Sequence, residues 1–351
     1  METQTRSKLS VQKNQNRFLI VFAIVVLLIA LAIGLFLASS FRVVSVSGKG
    51  DLFELKPHQI RLGVLTIDKG AMAIFGEKSL WIGPVISKEG ALLVGKDVTI
   101  IGPVTLFSDD LRLAENSTVQ GSVCLFSGNL KLEPGASIRH NALLFAGNME
   151  LATGASIGGN ALLFAGSVTL APGADIRGNT VLFAGNMSIG SEAVSYGKLI
   201  LFAGGLDLYS NAVLRNDALL FTGNAHLDPE AQVRGDLIMV EGNAALEGGS
   251  TVTGKLYLNS EPRPGMGRLD MSPEAQVGRG VFRSESIESV VSWQIGGWVL
   301  GSILLLLVPL VVIIGLLMAL MFYLGRRTLP IQGKEGSKAR EPESSPQPAA
   351  Q

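Results

Sequence analysis

Few residues in this chain could do chemistry, and their spacing argues against most of it. His58, His140 and His226 do not recur at a fixed interval. None stands beside an acid in the spacing by which a helix presents a metal. The single Cys124 allows no intrachain disulfide, and cysteine-based zinc sites need more than one thiolate. Asn116 opens an Asn-x-Ser/Thr sequon, which has meaning only in a glycosylating compartment. No phosphate-cradling glycine loop appears, and the Gly-Gly-x-Gly-x-Asp calcium repeat is absent. Lys plus Arg and Asp plus Glu are both 29, and no basic stripe marks a nucleic-acid partner. The expectation is a protein that is not an enzyme, with no cofactor, no metal, no nucleic acid and no small-molecule substrate.

What does recur is hydrophobic. Phe107, Phe126, Phe145, Phe164, Phe183, Phe202 and Phe221 stand at every nineteenth position, and the next step lands on Val240. A fixed period of this size marks a solenoid. Position 1 of each repeat is taken as the residue before that Phe, from Leu106 to Met239. Eight repeats then cover 106–257 without an insertion. Position 8 is Leu or Ile throughout, from Leu113 to Leu246. Position 14 is mostly Val or Ile, as in Val119, Ile138 and Ile157. Positions 8, 14 and the following position 1 are six apart, so each repeat has three short sides. Segments of three to five alternating residues read as strands, and glycine in every repeat argues against stacked helices. The fold class expected is all-β: a three-sided parallel β-helix solenoid with about 19 residues per coil. Its domain is placed at 95–282, with 39–94 as an irregular β connector or cap and 283–297 as a second connector.

Alternation sets which side chains face out. Positions 6, 8, 12, 14, 18 and 1 point inward. Position 7 points outward and is polar, and it holds His226. Position 13 points outward too, and is mostly polar. His140 falls at a corner, so the histidines are expected on the surface. The third side differs, because its outward positions 19 and 2 are apolar. Position 2 is the Phe column. Position 19 of the same seven repeats holds Cys124, Leu143, Leu162, Val181, Ile200, Leu219 and Ile238. In that company Cys124 is expected to be an apolar filler, not a nucleophile. An exposed wall of this kind would cover several hundred Å², near or above what a soluble monomer shows. Burying its fourteen side chains would give roughly 20–40 kcal/mol before association costs. Another copy of the chain is the preferred cover. Residues 41–94 folded back over it, or a bilayer surface, are the alternatives. At position 5, Asn129, Asn148, Asn186, Asn224 and Asn243 form a corner ladder, with Ser167 and Gly205 interrupting it. Asn and Gly tolerate left-handed backbone there, and stacked amides can hydrogen-bond.

Two apolar segments flank the repeats. Phe18 to Leu37 and Ile303 to Leu324 carry no charge and are long enough to cross about 30 Å of hydrocarbon. Transmembrane helices are therefore expected at 18–38 and 298–324. A cleaved signal peptide is the alternative for the first. Residues 1–17 and 325–340 carry nine Lys and Arg, against Arg42, Lys49, Lys56, Arg279 and Arg283 on the inner flanks. That bias puts both termini in the cytoplasm and the β-helix outside, with 1–17 a basic terminus and 325–351 a disordered tail. An integral membrane protein with the lipid bilayer as a partner is the expected localisation.

The Gly-punctuated coils "GASIGGNALLFAG" and "GADIRGNTVLFAG", bounded by irregular ends, resemble those of the bactofilins, polymer-forming bacterial cytoskeletal proteins. The resemblance covers about 95–281. It implies a three-sided β-helix that assembles without nucleotide into filaments or sheets, and a homo-oligomer or polymer as the working form. A cytoplasm-facing β-helix would follow from the resemblance if it outweighed the charge bias. Together these features predict a membrane-anchored structural scaffold that self-associates through the Phe/Leu face. The alternatives are an envelope partner-binding module and a left-handed hexapeptide-repeat acyltransferase. The nineteenth residue of every coil counts against the latter.

Overall fold

The computed structural model describes residues 42–259 and 267–284. They form a parallel β-solenoid of three sides. Side one is a 12-stranded parallel sheet that includes Leu130–Leu132 and Met149–Leu151. Side two carries two-residue strands such as Ser137–Ile138, and side three carries longer ones such as Ala142–Ala146 and Ala161–Ala165. Sides two and three join in one sheet, because the strand Ile60–Ile67 serves both.

The register through the repeats advances by one constant step: Leu130 pairs with Met149, Ser137 with Ser156, and Leu144 with Leu163. Each strand therefore lies over its own equivalent, and like side chains stack in columns along the solenoid. The core follows from that stacking. Leu130, Leu132, Ala136, Ile138, Ala142 and Leu144 from one coil are all fully buried in one continuous core. Alanine at position 12 leaves room for the branched residues that meet it from the other sides. Lys131 between Leu130 and Leu132 is exposed, as strand alternation requires.

The coils continue through residues 42–94. Leu52–Leu55 pairs with Met72–Phe75, which pairs with Ala91–Val94, all on side one. Coils at this end are slightly longer than those of the repeats. Leu52 pairs with Met72 and Leu65 with Val85, one position beyond the repeat's step, and Arg42 pairs with Gly63, two beyond it. The extra residues lie in the corners between Val46 and Leu52 and between Ile67 and Met72. This segment thus extends the three sides at one end and does not lie across side three. Its core is aromatic. Phe75 and Trp81 stack at 5.8 Å, and Phe53 meets both edge-on. At the other end, Ala244 pairs with Leu269 and Leu256 with Val281, so one more coil follows a six-residue insertion.

The flanking helices expected from sequence are corrected here. The described residues are strands and turns only, and no helix among them is long and apolar enough to cross a membrane. The segments 18–38 and 298–324, on which the expectation rested, lie outside the described residues. Apolar length shows only that a segment could span, whereas the expected span needs a helix, and none stands among the described residues. Among the described residues the fold class is an all-β solenoid with no membrane-spanning helix, and nothing in them supports the expected integral membrane localisation.

Candidate functional site

The feature that sets side three apart is its aromatic column. Phe107, Phe126, Phe145, Phe164, Phe183, Phe202 and Phe221 stack ring on ring, with centroids 4.7–4.9 Å apart and planes within 5° of parallel. The spacing is that of neighbouring strands in a sheet, so the backbone register alone places the rings. Phe107 at the column's end is 41% exposed, and the six above it are half-buried.

The row beside the column differs from the wall expected. Cys124, Leu143, Leu162, Val181, Ile200 and Leu219 are buried, at 8% exposure or less, yet none belongs to the core cluster. Each lies two residues before a Phe on the same face of the strand, so the stacked rings flank it. The free apolar surface of side three is accordingly the Phe column and not a double wall. Burial pushes the Cys124 thiol up to about 12. It stays protonated at neutral pH and is a poor nucleophile or ligand.

The corner after the column holds the Asn ladder, and its chemistry is backbone capping. Asn148 N donates to Asn129 Oδ1 at 2.9 Å, Ser167 N to Asn148 Oδ1 at 2.9 Å, and Gly205 N to Asn186 Oδ1 at 2.7 Å. Asn243 N donates to Asn224 Oδ1 at 2.9 Å. Ser167 does not interrupt the ladder, since its Oγ accepts from Asn186 N at 3.2 Å. Left-handed backbone is not the reason for asparagine here. The strained residue is the glycine before it, such as Gly147 at φ 136°, where a Cβ would collide with the Gly128 carbonyl oxygen one coil away. Left-handed residues stand instead at the corner between sides one and two, at Asn116, Gly135, Gly154, Gly173, Glu192, Asn211, Glu230 and Gly249. Asn116, the sequon residue, is exposed there.

A second ladder, before side three, has no counterpart in the sequence reading. Asn160 N donates to Asn141 Oδ1 at 2.9 Å, Asn179 N to Asn160 Oδ1 at 2.8 Å, and Lys198 N to Asn179 Oδ1 at 2.9 Å. Asp217 and Asp236 continue it by accepting from the next coil's N–H. Its signal is at position 17, where Ser, Asn or Asp recurs in six of the eight repeats and Lys198 divides the ladder into two runs.

Of the histidines, His58 takes a left-handed corner at φ 61°, and His140 is exposed at the corner before side three. His226 departs from expectation: it faces outward on side one but has acids against it, Asp228 and Glu247. Those three are the one group among the described residues whose ligand atoms could hold a metal ion.

No protein-family model, no curated protein and no solved structure matches this chain.

Proposed function

We propose that the chain is a non-catalytic scaffold whose β-solenoid associates with further copies of itself through the Phe column of side three. The observation that carries it is the column itself: seven parallel rings outside the core, each Phe partly open to solvent. A repeat fold supplies the rest of what a scaffold needs, a rigid array in which one contact recurs every coil. The likeness of the coils to those of bactofilins supports the same polymer-forming role.

Magnitudes set the kind of association. Fully burying a Phe is worth about 1.5–3 kcal/mol, and these rings are already half covered. The column then offers roughly 5–10 kcal/mol, against an association cost of about 4–15 kcal/mol. Pairing through one column is therefore modest and depends on concentration.

Sedimentation velocity of the full-length chain over a concentration series tests this. Wild type is expected to form larger species as concentration rises. Phe145→Asp with Phe164→Asp is expected to sediment as a monomer with an unchanged β-type circular dichroism spectrum. A wild-type monomer at every concentration overturns the proposal. Loss of β-structure in the double variant would make the column part of the folding core instead.

A further inference from the structure

Side one presents positions 7 and 9 of every coil on its outer face. Near the N-terminal repeats these columns hold ordinary ion pairs. Arg112 Nε lies 2.9 Å from Glu133 Oε1, and Lys131 lies within 4 Å of Glu133 and Glu150. Three coils further on, Lys and Arg are gone. Position 7 reads Asp207, His226, Ala245, and position 9 reads Tyr209, Asp228, Glu247. His226 is the one nitrogen base in that stretch of the two columns.

Its Nε2 lies 2.9 Å from Asp228 Oδ1 and 3.2 Å from Glu247 Oε1. A ligand atom from each of the three residues lies within 4.8 Å of the others. Asp207 sits directly beside His226 in register on one neighbouring coil, and Ala245 on the other. His226 Nε2 thus faces two carboxylates, with the Asp207 carboxylate on the preceding coil. One divalent cation held between the three ligands would neutralise the Asp228 and Glu247 carboxylates. Ala245 contributes only a methyl group where a longer side chain would crowd the point between His226 and Glu247. His226 lies in the strand Ala225–Leu227, and Asp228 and Glu247 each stand one residue past a strand, with their N–H groups donated to the Leu208 and Leu227 carbonyls of the preceding coil.

We propose that His226, Asp228 and Glu247 bind a divalent transition-metal ion of the zinc class. An imidazole nitrogen with two carboxylate oxygens is a donor set that Zn²⁺ and Co²⁺ accept, while Mg²⁺ favours oxygen ligands alone. Three protein ligands leave further coordination positions to water. The site is on side one and the Phe column on side three, so it stands or falls independently of self-association.

Isothermal titration of Zn²⁺ into the full-length chain is expected to give one site per chain, and Co²⁺ to give a visible d–d band at the same stoichiometry. His226→Ala and Glu247→Gln are each expected to weaken Zn²⁺ binding by at least about tenfold, while Lys131→Ala leaves it unchanged. Should His226→Ala lose its β-type spectrum, Glu247→Gln and Asp228→Asn carry the test. Absence of Zn²⁺ binding overturns the proposal. So does binding that survives all three ligand substitutions, or Mg²⁺ binding as tight as Zn²⁺ and indifferent to His226.

Discussion

Gly147 and Gly154 lie in one coil, and both have positive φ, but for different reasons. At Gly147, φ is 136°, and an added Cβ would strike the Gly128 carbonyl. The stacked coils approach there backbone to backbone, and no side chain can move aside. At Gly154, φ is 69° and the space around it is open. Asn116 and Asn211 occupy the same corner in other coils, at φ 57° and 61°. Gly147→Ala is therefore expected to destabilise by about 1–3 kcal/mol or more, and Gly154→Asn by less than about 1 kcal/mol. Urea unfolding midpoints of the two variants check this. Equal shifts would mean that close backbone approach is not what demands glycine at 147.

At the scale of elements, the corners tie one coil to the next. Asn148 both donates its N–H to Asn129 and accepts from Ser167 N through its amide oxygen. Asn148→Ala leaves the Ser167 N–H without that acceptor and is expected to cost about 0.5–1.5 kcal/mol. Asn148→Asp keeps an oxygen in place, as Asp110 does for Asn129 N, and is expected to cost less. Hydrogen exchange at Ser167 N should accelerate in the alanine variant and not in the aspartate one. Comparable acceleration in both would show that the ladder does not depend on the side-chain oxygen. The Phe column is legible in the sequence because one residue type repeats at every nineteenth position. The ladder from Ser122 through Asn141 and Asn160 to Asn179, resumed after Lys198 by Asp217 and Asp236, is not, because hydrogen-bond acceptance is shared by Ser, Asn and Asp. The coils of 42–94 are hidden by one or two extra corner residues, which shift the period without changing the strands. Glu247 follows His226 by one coil and two positions. That spacing signals a contact only once the coil length is known. The burial of Leu143 and its equivalents beside the Phe column depends on how rings lie, which alternation cannot supply.

For the solenoid as a whole, the register makes one coil the unit of exchange. Between Met72 and Leu258, successive coils pair at one constant step, from Met72 with Ala91 to Met239 with Leu258. Removing residues 160–178 joins Gly159 to Asn179, which fills the same corner position as Asn160. Each column then closes over the gap: Phe145 meets Phe183, Ala142 meets Thr180, and Asn141 meets Asn179. The shortened chain is expected to fold, with the same β-type spectrum per residue. Its urea m-value should fall by about one coil's share, since m tracks the surface exposed on unfolding and solenoid stability is close to a sum over repeats and their interfaces. Removing only 160–169 joins Gly159 to Leu170, which deletes one strand of side three and most of one strand of side one. No register restores the columns in that case, and the chain is expected to lose cooperative unfolding. Circular dichroism with urea titration separates the two. A full-coil deletion that fails to fold, or a half-coil deletion that folds as well, would show that the nineteen-position coil is not the structural unit.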